Sequence, residues 1–359
     1  MIKIDEARMT KSKGVTKHKT RSSSSNPTHN SNLPLRHSFG IQSVMRAAVL
    51  TSPRRIDIVE APIPKPGSSQ ILVRVEGCGV CASNVAPWEG KPWFTYPMAP
   101  GALGHEAWGR VEEGGSAVRD FQKADRVAVF STHAYADYDL CDASSAIKLP
   151  EVLDDGPFPG EPLGCAMNIF RRSDIGKDDT VAIVGIGFLG ALLTQLASAT
   201  GARVIALARR RSALDLANEM GAAQLITLDD HAVENVKNLA HGKFCDVVIE
   251  CTGKQWPLDV ASELTRERGR LVIAGYHQDG PRKINMQLWN WRGLDVVNAH
   301  ERDPRVYVDG IRQAVRAVAA GLLNPAPLYT HFFPLERLDA ALSMAARRPD
   351  GFIKAVITT

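Results

Sequence analysis

The sequence predicts an α/β chain in which a mostly β first part precedes a parallel, doubly wound sheet. From about residue 180, short apolar runs alternate with helical segments at short intervals, the pattern of repeated βα units. Between Met45 and about Leu149, short strand-like runs instead alternate with turns. A length of 359 residues suits two domains.

Residues 1–44 are rich in Ser, Lys, Thr and Asn and include the run Ser22-Ser23-Ser24-Ser25. Their apolar residues are too sparse to bury a core, so disorder is expected there. The segment lacks the apolar stretch of a secretory signal, and Asp5 and Glu6 weaken a transit-peptide reading. Met45-Arg46-Ala47-Ala48-Val49-Leu50 is taken as the natural start of the globular part. Gln70–Val75 and Arg126–Phe130 read as strands. Val181–Val184 is a strand followed by a Gly turn and a helix, Phe188–Ala199, which Gly201 ends. Arg203–Ala208 is the next strand and Ala213–Met220 the next helix. Leu225–Leu228, Asp246–Glu250 and Arg270–Ala274 continue the strand series. No solenoid-type repeat occurs.

Charge is unevenly placed. The chain has a formal net charge of +4, but residues 1–44 carry a net +6 and the remainder a net −2. The globular part is therefore not basic, which argues against nucleic acid as a partner. No run of about 18 apolar residues is present, so no membrane span is expected. The six cysteines, at 78, 81, 141, 165, 245 and 251, are too scattered for a disulfide framework and fit a reducing cytoplasm. Cys78 and Cys81 form one Cys-x-x-Cys with no second pair to complete a zinc ribbon. Cys78 is read as a small buried packing residue.

Four motifs carry chemistry: Gly-Val-Cys-Ala-Ser-Asn around Cys81, Gly104-His105-Glu106, Gly-Glu-Pro-Leu around Glu161, and the Gly-rich segment 181–190. Thiolate, imidazole and carboxylate together suit a metal of borderline softness, most often Zn²⁺. Gly185, Gly187 and Gly190 match Gly-x-Gly-x-x-Gly after a strand and at the start of a helix, the context that binds a dinucleotide pyrophosphate. Metal and nicotinamide together point to hydride chemistry on an alcohol or carbonyl.

In this order the motifs resemble those of the zinc-dependent medium-chain dehydrogenases, the group of alcohol, sorbitol and threonine dehydrogenases. The resemblance runs from about Met45 to the C-terminus. It implies a Rossmann domain and a mostly β, GroES-like catalytic domain. The catalytic domain is expected at 45–165 and 300–359, with the dinucleotide domain at 166–299 and the basic tail at 1–44. It implies that Cys81, His105 and Glu161 bind zinc, that Glu106 enters the zinc shell transiently, and that Cys165 faces the nicotinamide. A metal-bound alcohol would lose its proton to Ser83, whose plainer role is a turn hydroxyl, and its hydride to the cofactor. Three departures stand out. Asn84 replaces an Asp that orients the metal-bound His in relatives, and Ala86 replaces the His that ends their proton relay. The four-Cys lobe of a structural zinc is missing, so one zinc per chain is expected.

The acid that would bind the adenosine ribose is absent. Its position holds Ala208, followed by Arg209-Arg210-Arg211. Arg209 and Arg210 can grip a 2′-phosphate, which favours NADP(H) over NAD(H); the plainer reading is a solvated basic helix start. By the resemblance, Lys354 points toward the pyrophosphate. The substrate is expected to be a secondary alcohol or polyol, or the matching ketone. Trp88, Trp93, Phe94 and Tyr96 line a pocket or belong to the core, and Asn298, His300 and Glu301 offer polar contacts or simple surface. A homodimer or homotetramer is expected. Two rival readings remain open: a zinc-free quinone or enoyl reductase of the same superfamily, and a non-enzymatic nucleotide-binding protein.

Overall fold

The computed structural model describes residues 43–240 and 242–359. The basic tail and its expected disorder lie almost wholly outside the described residues. The chain begins with an antiparallel pair, β1 (Val44–Ser52) and β2 (Arg55–Pro62). It continues through β3 (Gln70–Gly79), the short helix α1 (Val85–Glu89), β4 (Ala107–Gly114), β5 (Arg126–Val129), β6 (Tyr138–Asp142) and β7 (Ala146–Lys148). Helix α2 (Gly160–Ser173) leads into β8 (Thr180–Val184), α3 (Phe188–Ala199), β9 (Arg203–Ala208), α4 (Arg211–Glu219) and β10 (Gln224–Thr227). Then come α5 (Ala232–Leu239), β11 (Cys245–Glu250), α6 (Gln255–Leu264), β12 (Thr265–Ile273), α7 (Met286–Arg292) and β13 (Asp295–Asn298). The last elements are α8 (Pro304–Ala319), β14 (Tyr329–Pro334), α9 (Leu338–Arg347) and β15 (Lys354–Thr358).

Strands β10-β9-β8-β11-β12-β13 form a six-stranded sheet in that order, and every pair is parallel. Val181–Val184 and Val204–Leu207 are wholly buried, as parallel strands covered by helices on both faces must be. The order reverses between β8 and β11. The crevice outside their carboxyl ends is where this sheet type takes a ligand.

The second sheet runs β14-β15-β3-β4-β5-β7, with β6 on the other side of β3. Its first strands precede the parallel sheet in sequence and its last two follow it, so the chain leaves this sheet and returns. Strand β15 pairs antiparallel with β3, placing Val356 opposite Gly79 and Ile357 opposite Cys78.

Helix α2 runs unbroken through residue 165, so the boundary expected at 165/166 falls inside a helix. It packs lengthwise on α8, which Asp303 caps and Pro304 opens. One apolar cluster joins Trp108, Ala128 and Phe158 to Leu163, Val181 and Ile311, so the two sheets share core through these helices.

Candidate active site

Two short segments meet at the carboxyl end of β3. Cys81 caps the 3₁₀ turn Ala82–Asn84 immediately after that strand. His105 and Glu106 lead into β4. The Cys81 Sγ, a ring nitrogen of His105 and a carboxylate oxygen of Glu106 lie within 4.8 Å of one another, the one such trio among the described residues. The His105 Nδ1 donates to the Leu103 carbonyl at 2.9 Å, which leaves Nε2 as the ligating nitrogen. Burial opposes the charged imidazole, but the Cys81 hydrogen bond and the charges of Cys81, Glu161 and Glu106 outweigh it and push its pKa to about 10. Such a strongly anionic surround suits a cation. A thiolate, an imidazole and a carboxylate are the donor set zinc prefers, so the residues fit the metal that the motifs imply.

Asn84 acts differently from the sequence expectation. It does not touch His105. Its Nδ2 donates to the Leu103 carbonyl at 3.0 Å, the same oxygen that receives His105, while its Oδ1 accepts from the Cys81 backbone at 3.2 Å and from the Tyr135 hydroxyl at 2.9 Å. The amide therefore ties the Cys81 turn to the carbonyl that orients His105. An aspartate could not donate to that carbonyl. Leu103 sits at φ +76°, a backbone region that L residues rarely adopt, and its carbonyl accepts both bonds there.

The carboxylate of the close trio is Glu106, whereas the resemblance implies Glu161 as the resident ligand. Glu161 lies outside the close trio. Its Oε1 accepts the Cys165 thiol at 3.1 Å, one turn further along α2. Its charge still acts on His105, so it borders the same site. Burial raises the Glu161 carboxyl, and burial with the Glu161 charge raises the Cys165 thiol well above its ordinary value. Cys165 therefore stays a thiol, while Cys81 meets the imidazole. Glu106 follows His105 directly in the chain and so arrives with it.

Lys354 also departs from expectation. Its ammonium lies 2.7 Å from Oε1 and 2.5 Å from Oε2 of Glu106, not free toward a pyrophosphate. Burial would lower its pKa, but the Glu106 charge outweighs that and raises it. The same Nζ sits 4.9 Å above the Phe188 ring.

Phe188 opens α3 at the glycine-rich turn. Gly185 has φ +101°, and a Cβ there would meet Thr252 at 2.4 Å. A Cβ on Gly187 would point into open space, and one on Gly190 would strike the Gly185 carbonyl at 2.1 Å. Tight turn, open approach and close helix packing fall on the three glycines in the order that a pyrophosphate site requires. At the end of β9, Ala208 is buried and no acid replaces it. Arg209 is exposed, and among the described residues no hydrogen bond engages it. Arg210 is committed elsewhere: its Nη1 donates to the Pro349 and Phe352 carbonyls, both at 2.8 Å. Arg211 pairs with Asp215, one helical turn on.

Other candidates scatter. Ser83 is half-buried on the Cys81 turn, and Ala86 is buried behind it. Trp88 is core, whereas Trp93 is exposed. The Asn298 side chain caps the His300 amide, His300 bonds the Gly275 carbonyl, and Glu301 accepts the amides of Arg302 and Asp303. Sequence reasoning missed the aromatic pair beside Glu161. Phe130 and Tyr307 stack at 5.0 Å, and burial, with the Glu161 charge nearby, raises the Tyr307 phenol. Nothing local marks Tyr307, one apolar position of an amphipathic helix.

Two family models match this chain: an alcohol dehydrogenase GroES-like domain at residues 67–153 and a zinc-binding dehydrogenase at 189–316. Together they cover most strands of both sheets and all three residues of the trio. The chain belongs to the zinc-dependent medium-chain dehydrogenase superfamily. The dehydrogenase is 28% identical to human sorbitol dehydrogenase over 327 residues, covering 80% of this chain and 89% of that one. It is 27% identical to sorbitol dehydrogenase of Halalkalibacterium halodurans over 318 residues, covering 79% and 90%. A zinc-binding dehydrogenase structure from Sinorhizobium meliloti, bound to NADP, superposes with a TM-score of 0.76 at 29% identity, covering 89% of this chain and all of that one. Among the described residues no helix is long and apolar enough to cross a membrane.

Proposed function

We propose that this dehydrogenase moves a hydride between NADP(H) and a secondary alcohol or polyol and its matching ketone, with one zinc ion per chain. One observation carries the reading. Lys354 touches Glu106 on one side and the Phe188 ring on the other, so a single side chain joins the metal donors to the dinucleotide turn. The sorbitol dehydrogenase relatives support a polyol or secondary alcohol, and the NADP of the Sinorhizobium meliloti structure supports the cofactor.

Cys81 and His105 would hold the metal, with Glu161 or Glu106 as the carboxylate. Zinc, when bound, supplies a Lewis acid that acidifies an alcohol or polarises a carbonyl. The Ser83 hydroxyl, two residues from Cys81, would accept the alcohol proton. Ala86 offers no second station, so the proton would leave Ser83 by water or another group. The stacked Phe130 and Tyr307 would offer an aromatic wall to a substrate held beside Glu161. Arg209, exposed next to Ala208, supports a 2′-phosphate over a bare ribose.

The intact Cys81–His105–Glu106 trio argues against the zinc-free reductase and non-enzymatic readings. Elemental analysis with an NADPH-oxidation screen over ketones and ketoses tests the reading. About one zinc per chain and turnover of a ketose or secondary ketone are expected; two zinc ions, or turnover of quinones only, would sink it. A homodimer or homotetramer is the assembly we infer. The outer strand β13 leaves one edge unpaired among the described residues, with Trp291 87% and Met286 53% exposed on the neighbouring helix. Sedimentation as a monomer at micromolar concentration would refute that.

A further inference from the structure

We propose that Tyr135 is a positioning residue whose hydroxyl locks the Asn84 amide and, through that one amide, sets Cys81 and His105 against each other. The inference rests on the zinc reading above. Tyr135 is completely buried and Asn84 is 2% exposed. The Tyr135 hydroxyl lies 2.9 Å from the Asn84 Oδ1 and 3.2 Å from the Gly79 carbonyl. Both are acceptors, the hydroxyl has one hydrogen to give, and Asn84 is the nearer. The Asn84 Oδ1 also accepts from the Cys81 amide at 3.2 Å, which leaves Nδ2 to donate to the Leu103 carbonyl at 3.0 Å. That carbonyl accepts the His105 Nδ1 at 2.9 Å. Turning the amide over would oppose hydrogen to hydrogen at Cys81 and oxygen to oxygen at Leu103, so one orientation satisfies the network.

Tyr135 is itself held by backbone. It lies in the segment 130–137 between β5 and β6. The Ala134 amide donates to the Gly104 carbonyl at 3.0 Å, the Tyr135 amide to the Gly101 carbonyl at 3.1 Å, and the Ala48 amide to the Tyr135 carbonyl at 2.9 Å. This close approach requires two glycines. A Cβ on Gly101 would lie 2.0 Å from the His133 carbonyl oxygen, and one on Gly104 would lie 2.4 Å from the Tyr135 amide nitrogen. Gly104 stands directly before His105. The segment that delivers the hydroxyl is therefore zipped to the segment that carries the histidine, and the hydroxyl reaches back to the Cys81 turn. Burial, with the charges of Cys78, Glu106 and Cys81, holds the Tyr135 phenol well above its ordinary pKa, so the hydroxyl keeps its hydrogen. An aspartate at position 84 would still accept from Cys81 and Tyr135, but it would have no hydrogen for the Leu103 carbonyl and would bury a charge. The hold on the two donors thus comes from the geometry of a neutral amide, not from charge.

The test uses the full chain loaded with Co²⁺ in place of zinc, read by its visible absorption and by competition with a chelator. Tyr135→Phe keeps the ring and removes only the hydroxyl. It should shift the ligand-field bands and weaken Co²⁺ binding about 10-fold, the lower end of the range over which outer partners tune metal affinity. Asn84→Ala should weaken binding about 10- to 100-fold. On that background, Tyr135→Phe should add less than about twofold, because the hydroxyl acts through the amide. Asn84→Asp should bind Co²⁺ no more tightly than wild type, although charge alone favours the carboxylate. Wild-type bands and affinity in Tyr135→Phe, whatever its melting temperature, would leave the hydroxyl a purely structural role and overturn the proposal. Equal effects of Tyr135→Phe with and without Asn84, or tighter binding in Asn84→Asp, would overturn it too. Should Tyr135→Phe fail to fold by circular dichroism, Asn84→Asp decides by the same two readings. Wild-type protein that takes up no cobalt would bring down the zinc reading itself, and this proposal with it.

Discussion

Cys165 and Glu161 share one helical face and one hydrogen bond, yet they play opposite parts. The Cys165 thiol is held protonated by burial and by the neighbouring carboxylate, so it is a poor metal ligand. Cys81→Ser should therefore lose most of its zinc by elemental analysis, whereas Cys165→Ala should keep about one ion per chain. Loss of zinc in Cys165→Ala would transfer the ligand role from Glu161 to that cysteine. Asp279 gives a second test. Its carboxyl is held below its ordinary range by the hydrogen bond from Lys254, at 2.6 Å, and by that from Arg282. A depressed folded-state pKa contributes stability that is present above the unfolded value, about 3.9, and lost as pH falls through the folded one. The pair is partly exposed, so the effect is small: Asp279→Asn should lower Tm by roughly 1–3 °C near neutral pH. The difference should vanish as the pH falls well below about 4. A constant difference down to acid pH would assign the loss to packing.

At the scale of elements, the crossing of α2 and α8 sets the position of Glu161. Gly164 and Gly310 face each other there. A Cβ on Gly164 would lie 2.7 Å from the Ile311 amide nitrogen, and one on Gly310 would lie 2.6 Å from the Gly164 carbonyl. Both obstacles are backbone, which cannot rotate away. Gly164→Ala should cost about 1–3 kcal/mol of overpacking, lowering Tm by roughly 2–10 °C. Metal affinity should weaken with it, because Glu161 rides on the same helix. A melt within 1 °C of wild type, roughly the precision of the comparison, would mean the helices part without cost. This crossing was not readable in the sequence, since the two glycines are far apart and each looks like an ordinary helix interior. The parallel sheet was readable, because each βα unit announces itself within a short window: Phe188–Ala199 and Arg203–Ala208 fall where the periodicity put them. The metal donors were half readable. Motifs named Cys81, His105 and both glutamates, but which carboxylate lies nearer depends on Cys165 and Lys354, and Lys354 is separated from Glu106 by 248 positions. The partners of Asn84, the Leu103 carbonyl and Tyr135, were out of the sequence's reach for the same reason.

Across the whole molecule, one short segment joins the two ends of the expected cofactor path. Residues 349–352 clasp the start of α4. Arg210 bonds the Pro349 and Phe352 carbonyls, the Ser212 hydroxyl bonds Asp350, and the Gly351 amide donates to Ser212 at 3.2 Å. Two residues after Phe352, Lys354 reaches Glu106. The adenosine end and the metal end are thus tied through the catalytic domain's last loop as well as through the parallel sheet. The neighbouring arginines consequently have separable duties. Arg209, exposed and unengaged among the described residues, is the one available for a 2′-phosphate, whereas Arg210 maintains the clasp. A charge-assisted hydrogen bond contributes about 1.5–3 kcal/mol, or roughly ten- to hundredfold in affinity. Arg209→Ala should weaken NADPH binding by that factor in a fluorescence titration and leave NADH binding within about twofold, the ratio expected when no charged contact is lost. Arg210→Ala should weaken both cofactors alike and lower Tm, because it loosens the loop rather than removing a phosphate contact. Selective loss of NADPH in Arg210→Ala would show that this side chain leaves its two carbonyls when the phosphate arrives, and that the clasp opens as the cofactor binds.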